Sequence, residues 1–385
     1  MNIDNITERE AVMATILFTG ATGTVGSELA PLLEKEGHKL IYLTRASSIA
    51  LLRLQGLKGD VLVSDITKPR AGIGESPIIL LKALQINKLV NCAASVKFQA
   101  SDAEEISQVN IDGVKNLLAL AEELEIPEFH QVSTAYVAGD ASYSTETQID
   151  GGQHCRNIYE STKRHGELLV NDWNAGKHST YRLGIVVGKY QTGEASTFNA
   201  YYVFMNTLWY LKQKLALKSK AELRKYREDG IYFDDGGNLV LPISIDFSPT
   251  STLNLTPIDW TVDTLCSLIG TSTKNKIFHV VDPMPKRICW LNDISLRILG
   301  IKGFRYGEPS ASNPKSLLSK IQRIFNKSTE QYRPYIKHEC AFETKNVSNI
   351  LGERYISFPE INESFLKRIL NYAISVNFGR KPKSV

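Results

Sequence analysis

Thr19-Gly20-Ala21-Thr22-Gly23-Thr24-Val25-Gly26 decides how this 385-residue chain folds. The apolar run before it, residues 14–19, reads as a strand. Helical periodicity follows over residues 25–36 and stops at Gly37. A strand feeding a helix through a glycine-rich turn is the geometry that receives a dinucleotide pyrophosphate. Gly20 and Gly23 let the backbone turn tightly and approach phosphate, and Gly26 lets the helix pack closely on the sheet. Thr22, Thr24 and Val25 complete the cradle, where the first helical amides have no acceptor inside the helix.

The pattern continues outward from this turn. Short apolar runs at residues 39–43, 61–64, 88–91, 129–133 and 180–183 read as strands. Helical stretches at 78–85, 102–125 and 158–174 alternate with them. Such alternation predicts an α/β fold, a doubly wound, Rossmann-like parallel sheet covered on both faces. We place this domain at residues 13–195. Residues 196–376 are less regular and read as a smaller, mixed substrate lobe. Within it, residues 250–285 contain an apolar helix capped by Asp259 and a further strand, and are expected to return to the first domain. Residues 377–385 read as a flexible tail.

Composition narrows the class. Hydrophobic residues make up 43% and charged residues 22%, an ordinary globular balance. The formal charge of +4 is too small to imply a nucleic-acid partner. Five cysteines without CxxC spacing suit free thiols in a reducing compartment. The histidines form no HxxxH pair, and His338 with Cys340 is too few ligands for zinc, so no metal is expected. The first dozen residues read as a loose leader without signal-peptide features. A run of about 20 apolar residues is absent, so no membrane span is expected and the cytoplasm is the expected location.

The strand ends indicate which dinucleotide. A carboxylate about 20 residues after the turn would pair with a ribose 2′-hydroxyl. This chain has Leu43-Thr44-Arg45 there instead. Arg45 suits a 2′-phosphate, so the expected cofactor is NADP(H). Asp65 and Ile66 follow the third strand and flank the adenine. Ala93 and Ala94 follow the fourth, where small side chains let the cofactor cross.

Tyr159 and Lys163 stand four residues apart on the helix of residues 158–174 and so share a face. An ammonium beside a phenol lowers its pKa and suits proton exchange with a substrate oxygen. Lys163 can also hold the nicotinamide ribose. The preceding strand delivers Thr134 to the carboxyl edge of the sheet, where its hydroxyl can donate to the same oxygen. Thr134, Tyr159 and Lys163 are therefore the expected catalytic trio.

Together with Arg182-Leu183-Gly184-Ile185-Val186-Val187-Gly188, these motifs resemble the extended short-chain dehydrogenase/reductases over roughly residues 14–300. The resemblance implies that Asn110, in Asn110-Ile111-Asp112-Gly113, supports the active site, and that Asn110 and Ile185 meet the cofactor. Ala93-Ala94-Ser95-Val96-Lys97-Phe98, Ser133-Thr134-Ala135-Tyr136-Val137 and Thr256-Pro257-Ile258-Asp259 are more specific. They resemble thioester reductase domains and fatty acyl-CoA reductases of the male sterility type. That likeness implies NADPH-dependent reduction of an acyl thioester, on a carrier protein or coenzyme A, to an aldehyde and, by a second reduction, an alcohol. Two alternatives remain open at this point. One is a dehydrogenase or epimerase acting on a hydroxyacyl, sterol-like or nucleotide-sugar substrate. The other is a non-catalytic NADP(H)-binding regulator.

Three stretches bear on the partner. The aromatic run 198–211 can line an acyl channel or fill a core. Lys212, Lys214, Lys218, Lys220, Arg224, Lys225 and Arg227 stand against one acid, Glu222, over residues 212–227. This basic stretch can dock an acidic carrier protein or be a solvated helix face. Gln331-Tyr332-Arg333-Pro334-Tyr335 matches no motif of the family.

Overall fold

Ile16, Leu17 and Phe18 are all fully buried, because both faces of their strand are covered. Ile16 and Phe18 pack with Leu29, Leu33 and Leu265, whereas Leu17 packs with Leu117 and Leu120 on the opposite face. Successive side chains on a strand point to opposite sides, so the run must be apolar throughout.

The computed structural model describes residues 13–380, apart from 148, 150, 249, 308–313 and 338–339. Its main sheet comprises β1 (Thr15–Thr19), β2 (Lys39–Thr44), β3 (Asp60–Val63), β4 (Lys88–Asn91), β5 (Glu128–Thr134), β6 (Lys177–Leu183) and β7 (Lys276–Val280). The strand order is β7-β6-β5-β4-β1-β2-β3, and every neighbouring pair is parallel. The order reverses at β1, so a crevice opens at the carboxyl ends of β1 and β4.

The helices that matter below are α1 (Gly26–Lys35), α2 (Gly113–Glu123), α3 (Ile158–Asn171), α4 (Tyr201–Ala216), α5 (Ile258–Ile269) and α6 (Ile288–Leu299). The long helix expected at 102–125 is interrupted by a π-helical turn at Gln108–Asp112, which carries Asn110. A separate core unites α4, α6 and the helices Leu317–Thr329 and Glu363–Ser375 through residues such as Leu208, Leu291, Phe325 and Phe365.

The chain crosses between the two cores more than once. Leu255–Pro257 pairs with Ile185–Val187, α5 packs on α1, and β7 joins the sheet edge. Asp259 is not the cap of α5 but lies in its first turn, and both its oxygens accept from the Tyr190 amide at 3.0 Å. Later, Ala341–Phe342 pairs with Tyr143–Ser144, and Lys345–Leu351 packs on β7. Buried Glu146 is the joint, accepting from the His279 amide at 2.9 Å and the Asn346 amide at 2.6 Å.

The tail expectation needs correction where it can be seen. Asn377–Gly379 forms a turn, and Phe378 is buried against Phe198. An aromatic ring with a cavity to fill outweighs the freedom of a chain end. The leader, residues 381–385 and His338 lie outside the described residues. Among the described residues, no helix is long and apolar enough to cross a membrane, and no group of three or more His, Cys, Asp or Glu side chains is placed to hold a metal.

Candidate active site

The glycine turn lies at the reversal point of the sheet. Gly20 has φ of +76°, and a Cβ there would come 2.5 Å from both the Cys92 carbonyl carbon and the Ala93 nitrogen. The end of β4 therefore rests directly on the turn. A Cβ on Gly26 would lie 2.1 Å from the Gly20 carbonyl oxygen. Gly26 thus closes the turn on itself rather than fitting the helix to the sheet. The Gly23 amide completes the loop by donating to the Gly20 carbonyl at 2.9 Å.

A cavity of about 360 Å³ opens beside this turn. Gly23, Thr24, Val25, Ala94, Thr134, Tyr159, Lys163 and Ile185 all line it. Gly20, Thr22 and Gly26 belong to the turn behind it, and Ala93 donates its amide to Asn91 at 3.1 Å. Arg45 is exposed just beyond β2, at the start of a short turn. Asp65 accepts from the Thr67 hydroxyl at 2.7 Å, which holds its carboxyl below the usual range; Lys68 and Arg45 add to this. The Ile66 carbonyl accepts from Asn116 at 2.8 Å. This turn chemistry occupies one Asp65 oxygen, a feature invisible in the motif.

Asn110 is buried and turned toward protein partners. Its Oδ1 accepts from the Ser95 amide at 2.8 Å, and its Nδ2 donates to the Ser95 carbonyl at 3.0 Å and to Thr162 Oγ1 at 3.1 Å. It thereby ties the loop after β4 to α3. The π-helical turn presents it for this role, and its side-chain bonds suit positioning rather than cofactor contact.

Tyr159 and Thr134 line the cavity together. Burial pushes the Tyr159 phenol up to about 12, and the Thr134 hydroxyl only partly offsets this. Lys163 does not lower that value, contrary to the expectation from spacing, because it loses its own charge near pH 8, well before the phenol titrates. Its ammonium donates to the Val132 carbonyl at 2.8 Å, and burial pulls its own pKa down to about 8, with Glu167 opposing. Desolvation therefore outweighs mutual attraction at both groups.

Beneath them, Glu167 and Arg182 form a fully buried ion pair, with Nη2 to Oε2 at 2.7 Å. Ser133 Oγ donates to the other Glu167 oxygen at 2.5 Å. This holds α3 against β5 and β6, one residue from Thr134. Breaking such a pair from one side costs roughly 3–5 kcal/mol.

Much of the cavity lining is apolar, with Asn199 and Asn292 among it. Phe204 and Met205 of α4, Ile245, Leu253, and Ile288 and Leu291 of α6 are among the apolar side chains. The aromatic run thus divides: Tyr201, Phe204 and Met205 reach the cavity, while Leu208 and Leu211 join the lobe core. Tyr332, Tyr335 and Ile336 also line the cavity. Their stretch carries no motif, so spacing alone could not find them.

The residue matches extend beyond geometry. A family model described as "Male sterility protein", of the NAD-binding type, matches residues 18–264, more than half of the chain. The chain belongs to the male sterility protein family. Male sterility proteins of this type carry a nicotinamide-dinucleotide-binding core, and the chain is an extended short-chain dehydrogenase/reductase by fold. Protein CapI of Staphylococcus aureus is 25% identical over 167 residues, which are 41% of this chain and 49% of that protein. The chain spans about half the length of this curated relative. The terminal R domain of the myxalamid biosynthetic pathway superposes with a TM-score of 0.73 at 19% identity, covering 95% of this chain and 92% of that one. An archaeal thiolation-reductase di-domain gives 0.68 at 18% identity, covering 96% and 76%. WbmG of Bordetella bronchiseptica, solved with NAD, gives 0.61 at 15% identity, covering 97% of each chain. At these identities the likenesses establish the fold of this family member.

Proposed function

We propose that this chain is an NADPH-dependent reductase of acyl thioesters, yielding an aldehyde and a free thiol. One observation carries the reading: Thr134, Tyr159 and Lys163 line one cavity together with a largely apolar set of lobe side chains. That suits a carbonyl at the trio and a hydrocarbon chain in the lobe. The turn at residues 20–26 would hold the pyrophosphate, Arg45 the 2′-phosphate and Lys163 the nicotinamide ribose. When bound, NADPH supplies the hydride.

Thr134 and Tyr159 form a preorganised donor pair for the oxyanion that develops at the substrate oxygen. A phenol near 12 gives up its proton only to a strong base. An alkoxide created at a reduced carbonyl is such a base, so Tyr159 needs no lowered pKa in the reductive direction. Lys163 supplies positive charge beside the phenolate left behind. The hemithioacetal then collapses, and the thiol leaves. A nucleotide-sugar epimerase would use the same trio, but the lobe lining is mostly apolar, with Asn199 and Asn292 its amide side chains.

The test is NADPH consumption over acyl-CoA and acyl-carrier thioesters, with aldehyde and alcohol products identified. Absence of turnover with every thioester defeats the reading. An acidic carrier protein is the proposed partner of residues 212–227, with fewer cations than the sequence suggests. Lys212 is committed to the Leu299 and Gly300 carbonyls at 2.8 and 3.1 Å, and Lys218 pairs with Glu222 at 3.0 Å.

The charges at Arg45 and Lys163 each have a measurable consequence. Arg45→Glu is expected to weaken NADPH binding about a hundredfold and NADH binding less than about threefold, because only the former carries a 2′-phosphate. Equal losses in a direct titration would remove Arg45 from cofactor choice. The second concerns pH. Lys163 is protonated below about 8 and neutral above it, whereas Tyr159 keeps its proton to about 12. Reductive kcat/KM is therefore expected to be flat below pH 8 and to fall above it. Lys163→Met should sit on a lower plateau without that limb; an unchanged limb would assign it to another group.

A further inference from the structure

Tyr332, Tyr335 and Ile336 of residues 330–337 line the cavity, and the two tyrosines meet different helices. Tyr332 packs on α4, its ring 6.3 Å from that of Phe204, and its hydroxyl faces the Ala200 amide. Ala200 heads α4 with φ of +46°, a conformation that costs a non-glycine residue roughly 1–3 kcal/mol and persists only when neighbours hold it. Tyr335 faces the catalytic helix, where Asn157 Nδ2 donates to its hydroxyl at 2.7 Å.

That partner stands at the start of the catalytic helix. Asn157 caps α3, accepting from the Glu160 amide at 3.0 Å. Glu160 is fully buried and accepts from Arg156 Nε at 2.9 Å. The Arg156 guanidinium lies 4.2 Å from the centre of the Tyr335 ring. Phe98 joins the two segments, with its ring 5.3 Å from those of Tyr159 and Tyr332.

We propose that Tyr335 is a positioning residue that latches residues 330–337 onto the first turn of α3. The wall against which an acyl group packs and the turn that carries Tyr159 then move as one body. Without the Tyr335 hydroxyl, the amide of Asn157, the cap of α3, loses its acceptor while the aromatic wall keeps its ring. The proposal rests on the acyl-thioester reading only for the choice of substrate.

The test compares Tyr335→Phe with Tyr332→Phe in the full chain, by steady-state kinetics and by amide hydrogen exchange without substrate. Tyr335→Phe is expected to raise KM for the thioester about tenfold and lower kcat about fivefold, with NADPH Kd within about twofold. Exchange should quicken together at residues 156–163 and 330–337. Tyr332→Phe should quicken exchange at 330–337 and leave 156–163 as in wild type, because its hydroxyl faces the start of α4. Wild-type exchange at 156–163 in Tyr335→Phe, or equal quickening there in both variants, overturns the latch. Should wild type reduce no thioester, the proposed function falls, and exchange alone decides the latch.

Discussion

Replacing Tyr159 with phenylalanine is expected to lower reductive turnover about a thousandfold, roughly 4 kcal/mol of barrier. Cofactor affinity should stay within about threefold, since the ring and its contact with Phe98 remain. Tyr159 and Thr134 both line the cavity. Thr134 alone cannot complete the proton transfer, because a neutral aliphatic hydroxyl is a weaker acid than a phenol even at about 12. Thr134→Ala should therefore cost less, about 10–100-fold, as the loss of one oxyanion donor. The check is single-turnover NADPH oxidation alongside fluorescence titration of NADPH. Full activity in Tyr159→Phe would end the case for Tyr159 as the acid.

Gly26→Ala is expected to weaken NADPH binding at least about a hundredfold and to lower Tm by several degrees. The new Cβ would sit 2.1 Å from the Gly20 carbonyl oxygen and 2.8 Å from its carbon. Those are backbone atoms, so rotation of a side chain cannot relieve the contact. Gly20 cannot retreat either, since its own surroundings are the backbone of Cys92 and Ala93. The turn must open, and its amides leave the phosphate. Gly74→Ala is the control, because a Cβ there meets nothing within 4 Å and the residue has φ of −75°. Calorimetry and NADPH titration on both variants decide it. A Gly26→Ala protein with wild-type affinity would mean that the turn does not hold the pyrophosphate.

Much of this site was legible before any coordinates. Periodicity marked the sheet strands, because a strand covered on both faces must be apolar and a crossover helix must be amphipathic. The glycine turn, Thr134 and the Tyr159–Lys163 spacing were readable for a related reason. Each depends on neighbours within one or two elements, so its chemistry is written locally. The motif after β4 also placed Phe98, though not its contact with the catalytic tyrosine.

Other features depend on distances between segments far apart in the chain. Spacing brought Lys163 to the right helix face, but burial, opposed by Glu167, settled its charge. Asn110 was marked by its motif, yet its partners Ser95 and Thr162 come from two other segments. Tyr332 and Tyr335 carried no local signal, because their worth lies in reaching Ala200 and Asn157, more than a hundred residues away. Local pattern specifies how a segment turns and which side it hides. Desolvation and long-range pairing, which set the pKa values and close the cavity, arise only once both cores are packed.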